Sequence, residues 1–205
     1  MFIVEKYYNI YMETVLTIDF DVIMWPSIEL YNNFVDGEKD EINKIEQDIP
    51  LLHYANADLY LYYKLTDYLL NNKNKQIIFI QSHEEILKYI NAPCNLINID
   101  HHHDLGYNEN QWKNKDIKCG NWGYWGIKNG LFKSFIWLHG WMSTLWNPPK
   151  EYEIKNIPII DNIIFKMDLN KISSPSKIII CSSYNWIPTN IRPLFAVWEK
   201  IFKGE

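Results

Sequence analysis

The chain has 205 residues, with 20 Lys and Arg against 25 Asp and Glu, and its 47% hydrophobic share is that of a folded protein rather than a disordered one. Arg192 is the sole arginine, which argues against a nucleic-acid surface, and no apolar run approaches the roughly 20 residues that span a bilayer. The length predicts one domain over residues 1–205. The scarcity of arginine and the short apolar runs predict that this domain binds neither nucleic acid nor membrane. No secretory signal and no C-x-x-C pair occur, so we expect a cytoplasmic protein with reduced thiols.

Five short aliphatic runs end in polar side chains, and we predict that they form buried parallel strands of one sheet. They span residues 13–21, 76–83, 95–104, 134–139 and 177–183. A crossover helix is predicted over residues 51–70, where helical spacing relates Leu51, Ala55, Leu59, Tyr63 and Leu70. A second helix is predicted from Ser82. A third, over residues 190–202, is expected to place on one face Leu194, Val197, Trp198 and Ile201.

Two segments carry weaker patterns. Residues 32–48 are acidic and polar, and they predict a surface excursion. Residues 147–176 contain several prolines between short apolar runs, and they predict irregular structure with one or two strands. The alternation of strands and helices over the rest of the chain predicts an α/β fold with three layers, α/β/α, around a mainly parallel sheet.

The most informative stretch is residues 98–104, where an apolar strand runs directly into two aspartates and three histidines. Alternate positions of a strand share one face of the sheet. We therefore expect Asp100, His102 and Asp104 to converge. Carboxylate and imidazole groups together suit a hard or borderline divalent ion.

Asp19 and Asp21 form a second alternating pair, at the end of another predicted strand, and two buried carboxylates this close repel each other unless a cation or proton intervenes. His83 lies at a predicted strand-to-helix junction. Open α/β sheets place their sites at the carboxyl ends of the strands, so all six side chains are predicted to meet. Six such ligands suit two metal ions, and manganese is favoured over zinc because the set is rich in oxygen and has no thiolate.

Each motif also has a simpler interpretation. The histidine run alone is compatible with an exposed polar turn, the pair Asp19 and Asp21 with a solvated strand end, and His83 with a helix cap. The three motifs together, each at the end of a predicted neighbouring strand, favour a metal site.

The motifs resemble those of known enzymes. Residues 100–104 resemble the Asp-x-His-x-Asp signature of arginase, agmatinase and related ureohydrolases, and residues 19–21 resemble their second motif, Asp-x-Asp. The chain is more closely similar to the arginase-related family that includes the peptide arginases of ribosomal peptide maturation. The further matches to that family are His83 with Glu85, Asp100 to Leu105, Asn121-Trp122, Trp137-Leu138-His139, Ile180 to Ser183, and Trp186-Ile187-Pro188.

The resemblance implies an arginase/deacetylase-like fold in which the order of the motifs is permuted, because the Asp-x-Asp strand here precedes the Asp-x-His-x-Asp strand. It also implies two Mn²⁺ ions and hydrolysis of the guanidinium group of an arginine residue to ornithine and urea. Tryptophans near the predicted site suit a peptide better than a free amino acid. An arginine-containing peptide is the expected partner, and the sequence leaves oligomerisation open.

Residues around the predicted centre supply candidates for the remaining roles. Glu84 and Glu85, beside His83, are acidic partners for a guanidinium group. The glutamate that often precedes Asn-Trp in the family is Gly120 here, and the family's proton-transfer histidine has no counterpart. The predicted catalytic residues are His139, His101 and Glu85. The predicted substrate-binding residues are Glu84, Asn121 and Trp122.

Other functions are compatible with the same residues. A metal-dependent deacetylase or amidohydrolase of this fold would use one zinc ion, and a non-catalytic binding protein would keep the metal for stability. A phosphoesterase is disfavoured because one arginine offers little to hold phosphate. The number of bound ions separates the ureohydrolase from the deacetylase.

Overall fold

The computed structural model describes residues 12–25, 56–106, 116–139, 169, 172, 174–184, 187 and 189–204. Its strands are β1 (Thr14–Asp19), β2 (Met24–Trp25), β3 (Asn56–Ala57), β4 (Gln76–Ile80), β5 (Cys94–Ile99), β6 (Phe132–Leu138) and β7 (Lys177–Cys181). Its α-helices are α1 (Leu59–Asn71), α2 (Trp122–Lys128) and α3 (Arg192–Lys203), and 3₁₀ helices cover Phe20–Ile23 and His83–Tyr89. The predicted excursion at 32–48 and almost all of 147–176 lie outside the described residues.

Five strands form one parallel sheet in the order β4-β7-β1-β5-β6. The central strand, β1, pairs with β5 on one side and with β7 on the other. The prediction of an α/β protein with a mainly parallel sheet is therefore confirmed. In addition, β2 and β3 form a short antiparallel pair.

Hydrophobic clusters cover the two faces of this sheet. On one face, Leu16 and Ile18 of β1 belong to a cluster with aromatic side chains of α1 and α3, Tyr62 and Trp198 among them. On the other face, Val15 belongs to a cluster with α2 and the 3₁₀ helix His83–Tyr89. Because both faces are buried, the strands read as continuous apolar runs rather than as alternating ones.

The helix α3 lies where it was predicted, whereas the helix predicted over residues 51–70 is confirmed only from Leu59, since Asn56–Ala57 form the strand β3. In both helices some of the apolar residues that suggested the helix are exposed. In α1, Tyr63 is 62% exposed, whereas the buried side chains are Tyr62, Leu65 and Leu69. In α3, Val197 and Ile201 are exposed, and the buried side chains are Phe195 and Trp198. Apolar residues occur on both faces of each helix, so the spacing did not identify the core face. Among the described residues, no helix is both long enough and apolar enough to cross a membrane.

Two further differences concern the start of α1 and the presence of α2. α1 begins at Leu59 because the carboxylate of Asp58 accepts a hydrogen bond from the amide of Leu61 at 2.9 Å. Residues 51–55 of the predicted helix lie outside the described residues. α2 was not predicted, since its glycines weaken the helical signal. Gly126 is required there, because a Cβ atom would lie 1.9 Å from the ring of Phe132.

Candidate metal centre

Three neighbouring strands end side by side at the carboxyl edge of the sheet. Asp19, the last residue of β1, is in register with Cys181, the last residue of β7. On the other side, Ile18 is in register with Ile99, so Asp100 follows directly after the last paired residue of β5. The central position of β1 therefore sets Asp19 between Cys181 and Asp100.

The strands end earlier than predicted, because the aspartates themselves stop them. After Asp19 the chain enters the 3₁₀ helix Phe20–Ile23, and the Asp19 carboxylate accepts a hydrogen bond from the amide of Asp21 at 3.3 Å. After Ile99, the Asp100 carboxylate accepts a hydrogen bond from the amide of His102 at 2.8 Å. Such local bonds compete with strand pairing. The expected reason for convergence, strand alternation, was wrong, and two tight turns bring the side chains together instead.

His83 stands at the middle of a first group of carboxylates. Its Nδ1 atom lies 2.8 Å from Oδ2 of Asp104 and 3.1 Å from Oδ2 of both Asp19 and Asp100. His83 is 2% exposed and begins the 3₁₀ helix that follows β4. We name this group, His83 with Asp19, Asp100 and Asp104, the His83 subsite.

His102 stands in a second group. Its Nδ1 atom lies 3.6 Å from Oδ2 of Asp21 and 3.7 Å from Oδ1 of Asp100. We name His102, Asp21 and Asp100 the His102 subsite. Asp100 belongs to both subsites and presents a different oxygen to each, so the structure brings all six predicted ligands together around one shared carboxylate.

Within the described part of the chain, only the two histidines offer positive charge to these carboxylates. The four aspartates are each at most 5% exposed, and none of them pairs with a described lysine or arginine. Burial, and then the neighbouring charge of Asp21, raises the pKa of Asp19 well above its usual value. Burial opposes the charging of His83, but the carboxylates of Asp19 and Asp100 outweigh it and raise the pKa of His83 well above its usual value. Several buried carboxylates with two imidazoles call for a further cation.

The distances in the His83 subsite fit a metal ion better than hydrogen bonds alone. A histidine Nδ1 carries one hydrogen, yet three carboxylate oxygens lie within 3.1 Å of it. Two adjacent ligands of an octahedral ion with bonds of 2.0–2.1 Å are about 3.0 Å apart. In addition, Oδ1 of Asp21 in the His102 subsite is buried and has no hydrogen-bond partner among the described residues.

The structure adds a thiol that the sequence interpretation did not place at the site. Cys181 is fully buried, and its sulfur, a carboxylate oxygen of Asp19 and a ring nitrogen of His83 all lie within 4.8 Å of one another. Burial, and then the nearby Asp19 carboxylate, raises the pKa of this thiol. The strand order could have revealed it, because Cys181 lies in the strand predicted over residues 177–183 and is in register with Asp19.

Two buried polar side chains, Thr17 and Asn98, orient the shared carboxylate of Asp100 through successive hydrogen bonds. The hydroxyl of Thr17 donates to Oδ1 of Asn98 at 2.7 Å, and Nδ2 of Asn98 donates to Oδ2 of Asp100 at 3.2 Å. Thr17 and Asn98 are both fully buried in the sheet, where polar side chains are costly unless they are bonded. They therefore act as positioning residues for Asp100, and sequence reasoning missed them.

The backbone at Asp104 is held in an unusual conformation. Asp104 has a φ of 53°, in the left-handed region that non-glycine residues seldom adopt. Its carbonyl accepts a hydrogen bond from the amide of Gly123 at 2.9 Å. A Cβ atom on residue 123 would lie only 2.9 Å from that same carbonyl oxygen, which explains the glycine.

Trp122, predicted to bind substrate, instead supports the centre. It is fully buried, its Nε1 donates to Oδ2 of Asp104 at 2.5 Å, and its ring centroid lies 5.2 Å from that of His83. Asn121 is also buried, and its side chain closes its own loop by bonding to the backbone of Lys118 and Asp116.

The three candidate catalytic residues have different surroundings. His101 and His139 are both buried, and burial lowers the pKa of His101. The ring centroid of His139 lies 4.9 Å from that of Trp137. Glu85 caps the 3₁₀ helix, since its carboxylate accepts hydrogen bonds from the amides of Gln81 and Ser82. It also pairs with Lys88 at 3.2 Å.

Glu84 directly follows His83 in the chain. It is partly exposed and hydrogen-bonds with the hydroxyl of Ser82. The thiol of Cys119 has its pKa raised by burial first, and then by the charges of Asp104 and Glu84. Glu84 therefore shares an electrostatic environment with a ligand of the His83 subsite.

Replacing Trp122 by phenylalanine tests whether this side chain positions Asp104. The substitution keeps an aromatic ring but removes the hydrogen bond, and loss of such an outer partner costs about 10–100-fold in metal affinity. Titration of the chelator-treated protein with Mn²⁺ measures the change. Trp198→Phe is the matched control. The Nε1 of Trp198 donates to the hydroxyl of Thr66, and Trp198 belongs to the hydrophobic cluster on the other face of the sheet. Equal Mn²⁺ affinities in the two variants would contradict the role assigned to Trp122.

Comparison of the chain with protein-family models, curated proteins and solved structures found no match in any of the three. The resemblance to arginase-related proteins is therefore carried by the quoted motifs alone. We therefore infer the function from the chemistry of the two subsites.

Proposed function

We propose that this protein is a binuclear metal-dependent hydrolase, with two Mn²⁺ ions, that converts arginine residues of a peptide to ornithine and releases urea. We also propose that it has the three-layer, arginase-like fold with permuted motif order. The observation that carries the proposal is the position of Asp100, whose two carboxylate oxygens face two separate histidine-containing groups.

The chain supplies a complete ligand set for two ions. The His83 subsite would hold one ion through Asp19, Asp104 and His83, the His102 subsite would hold the other through Asp21 and His102, and Asp100 would be shared. Two bound divalent ions activate water at neutral pH and stabilise negative charge in the transition state. The oxygen-rich set suits manganese.

Other side chains have properties that suit the remaining steps. Burial lowers the pKa of His101, so its imidazole is neutral at pH 7 and able to accept a proton. Its ring centroid lies 6.4 Å from that of His102, beside the second subsite. Glu84 directly follows His83 and is partly exposed, so its carboxylate can pair with a cationic guanidinium group next to the first subsite.

Metal analysis coupled to a urea-release assay tests this function. Protein purified without chelator is expected to contain two ions per chain and to release urea from arginine-containing peptides. The mass of each peptide should fall by the difference between arginine and ornithine. The same peptides with lysine in place of arginine are the control, since they carry the charge without the guanidinium carbon.

The substrate is expected to be a peptide rather than free arginine. A free amino acid presents an α-ammonium and an α-carboxylate, whose recognition calls for dedicated charged groups. Urea release from free arginine at or above the rate from every arginine peptide would contradict this preference. One bound ion per chain would instead favour a deacetylase, and two ions without turnover would favour a binding protein.

A further inference from the structure

His83 belongs to two alternative sets of ligands. Its ring nitrogen groups with the carboxylates of Asp100 and Asp104, and it also groups with the carboxylate of Asp19 and the thiol of Cys181. In each set the ligand atoms lie within 4.8 Å of one another, and every member is buried. One imidazole can therefore serve two arrangements, one with two carboxylate oxygens and one with a carboxylate oxygen and a sulfur.

The two sets favour different ions. Nitrogen with carboxylate oxygens suits a hard ion such as Mn²⁺, which gains little from sulfur. Nitrogen, oxygen and sulfur together suit Zn²⁺, which takes four tetrahedral ligands and binds cysteine thiolate strongly. Zinc also binds more tightly than manganese to most protein ligands, so the sulfur of Cys181 should increase a preference for zinc that already exists.

We infer that Asp19, His83 and Cys181 form a zinc-binding site that competes with manganese for the His83 subsite. Zinc bound in this way draws Asp19 and His83 away from the shared carboxylate of Asp100. On binding, the thiol proton passes to solvent and the thiolate becomes a ligand, with no change of oxidation state. Zinc should therefore displace manganese from this subsite and inhibit urea release. The displacement of manganese and this inhibition rest on the proposed function, whereas zinc binding itself does not.

The fold supports the role of Cys181 by placing its sulfur at a fixed position. β7 is buried along its whole length, and Cys181 is paired with β1 at Asp19 and with β4 at Ile80. The sulfur also lies 3.4 Å from the hydroxyl of Ser183, a residue with a φ of 46°. A thiol held between two strands loses little freedom when it binds an ion.

Metal binding by Cys181→Ser, compared with Cys94→Ser, tests the inference. Cys94 is also fully buried in the same hydrophobic cluster, but it begins β5 at the opposite edge of the sheet. Zinc affinity is measured by competition with a chromophoric chelator, and manganese affinity by electron paramagnetic resonance. We expect Cys181→Ser to weaken zinc by at least ~10-fold, because even outer-shell partners are worth that much. Manganese affinity should stay within about threefold, and Cys94→Ser should change neither.

Cobalt provides a direct observation of the sulfur ligand. Wild-type protein loaded with Co²⁺ should show a sulfur-to-cobalt charge-transfer band in the near ultraviolet, which Cys94→Ser retains and Cys181→Ser lacks. A wild-type spectrum without this band overturns the inference, even if the serine variant fails to fold. Equal zinc affinity in wild type and a folded Cys181→Ser also overturns it.

The outcome is separable from that of the hydrolase assay. Thiol-dependent zinc binding without any urea release would refute the proposed function and leave the zinc site standing. Urea release from a manganese-loaded enzyme whose zinc affinity is independent of Cys181 would do the reverse. Absence of all metal binding would refute both.

Discussion

Asp100→Asn is expected to lose both metal ions and all urea release. Asparagine keeps the shape of the side chain but removes the charge that faces the two subsites. Loss of an outer-shell partner alone costs about 10–100-fold in metal affinity, so loss of a shared ligand should exceed about 100-fold for each ion. Metal analysis after dialysis and the urea assay measure the two effects.

The control for this variant is Asp67→Asn, which makes the same chemical change on the exposed side of α1. It should keep both ions and full activity. A folded Asp100→Asn protein that retains the metal content of the wild type would show that the ligands have been assigned incorrectly. Loss of one ion alone would show that Asp100 binds one metal rather than two.

Removal of metal by a chelator is expected to lower the melting temperature by roughly 5–11 °C for each ion that is removed. An ion at 100 times its Kd stabilises the folded state by about 2.7 kcal/mol. One kcal/mol corresponds to about 2–4 °C for a protein of this size. The buried aspartates make the metal-free state costly, because their repulsion is relieved by the ion.

Differential scanning calorimetry with and without chelator measures this shift, and added Mn²⁺ should restore it. The double variant Asp19→Asn and Asp21→Asn provides the comparison, since it removes two buried charges along with two ligands. Its melting temperature should respond to metal less than that of the wild type, because the set of His83, Asp100 and Asp104 remains. A wild-type protein whose melting temperature ignores both chelator and Mn²⁺ would contradict the metal centre.

The sheet could be predicted from the sequence because each strand is a continuous apolar run with a polar end. Buried parallel strands leave this pattern whatever their order. The order itself, and the central place of β1, depend on pairing between distant segments, which no local pattern records. The buried faces of α1 and α3 could not be read from the spacing, because Tyr63 and Val197 are exposed although the pattern includes them.

The six acidic and imidazole side chains of the centre could be selected from the sequence because such side chains seldom follow directly after apolar strands without a function. Their supporting residues could not. Thr17 and Asn98 look like ordinary strand residues until β1 and β5 are paired. Cys181 is one of three cysteines outside any C-x-x-C pattern, and its register with Asp19 is what places its thiol at the centre.

The assembly of the centre from separate strands has a consequence for the kinetics of folding. Thr17 and Asn98, which orient the shared carboxylate, are 81 residues apart in sequence, so β1 must first meet β5 across a long loop. A transition state without that pairing cannot hold an ion. Metal that binds only after this pairing would stabilise the native state but not the transition state, and it would slow unfolding rather than speed folding. The ions would thus determine the rate of unfolding, while the apolar strands determine the rate of folding.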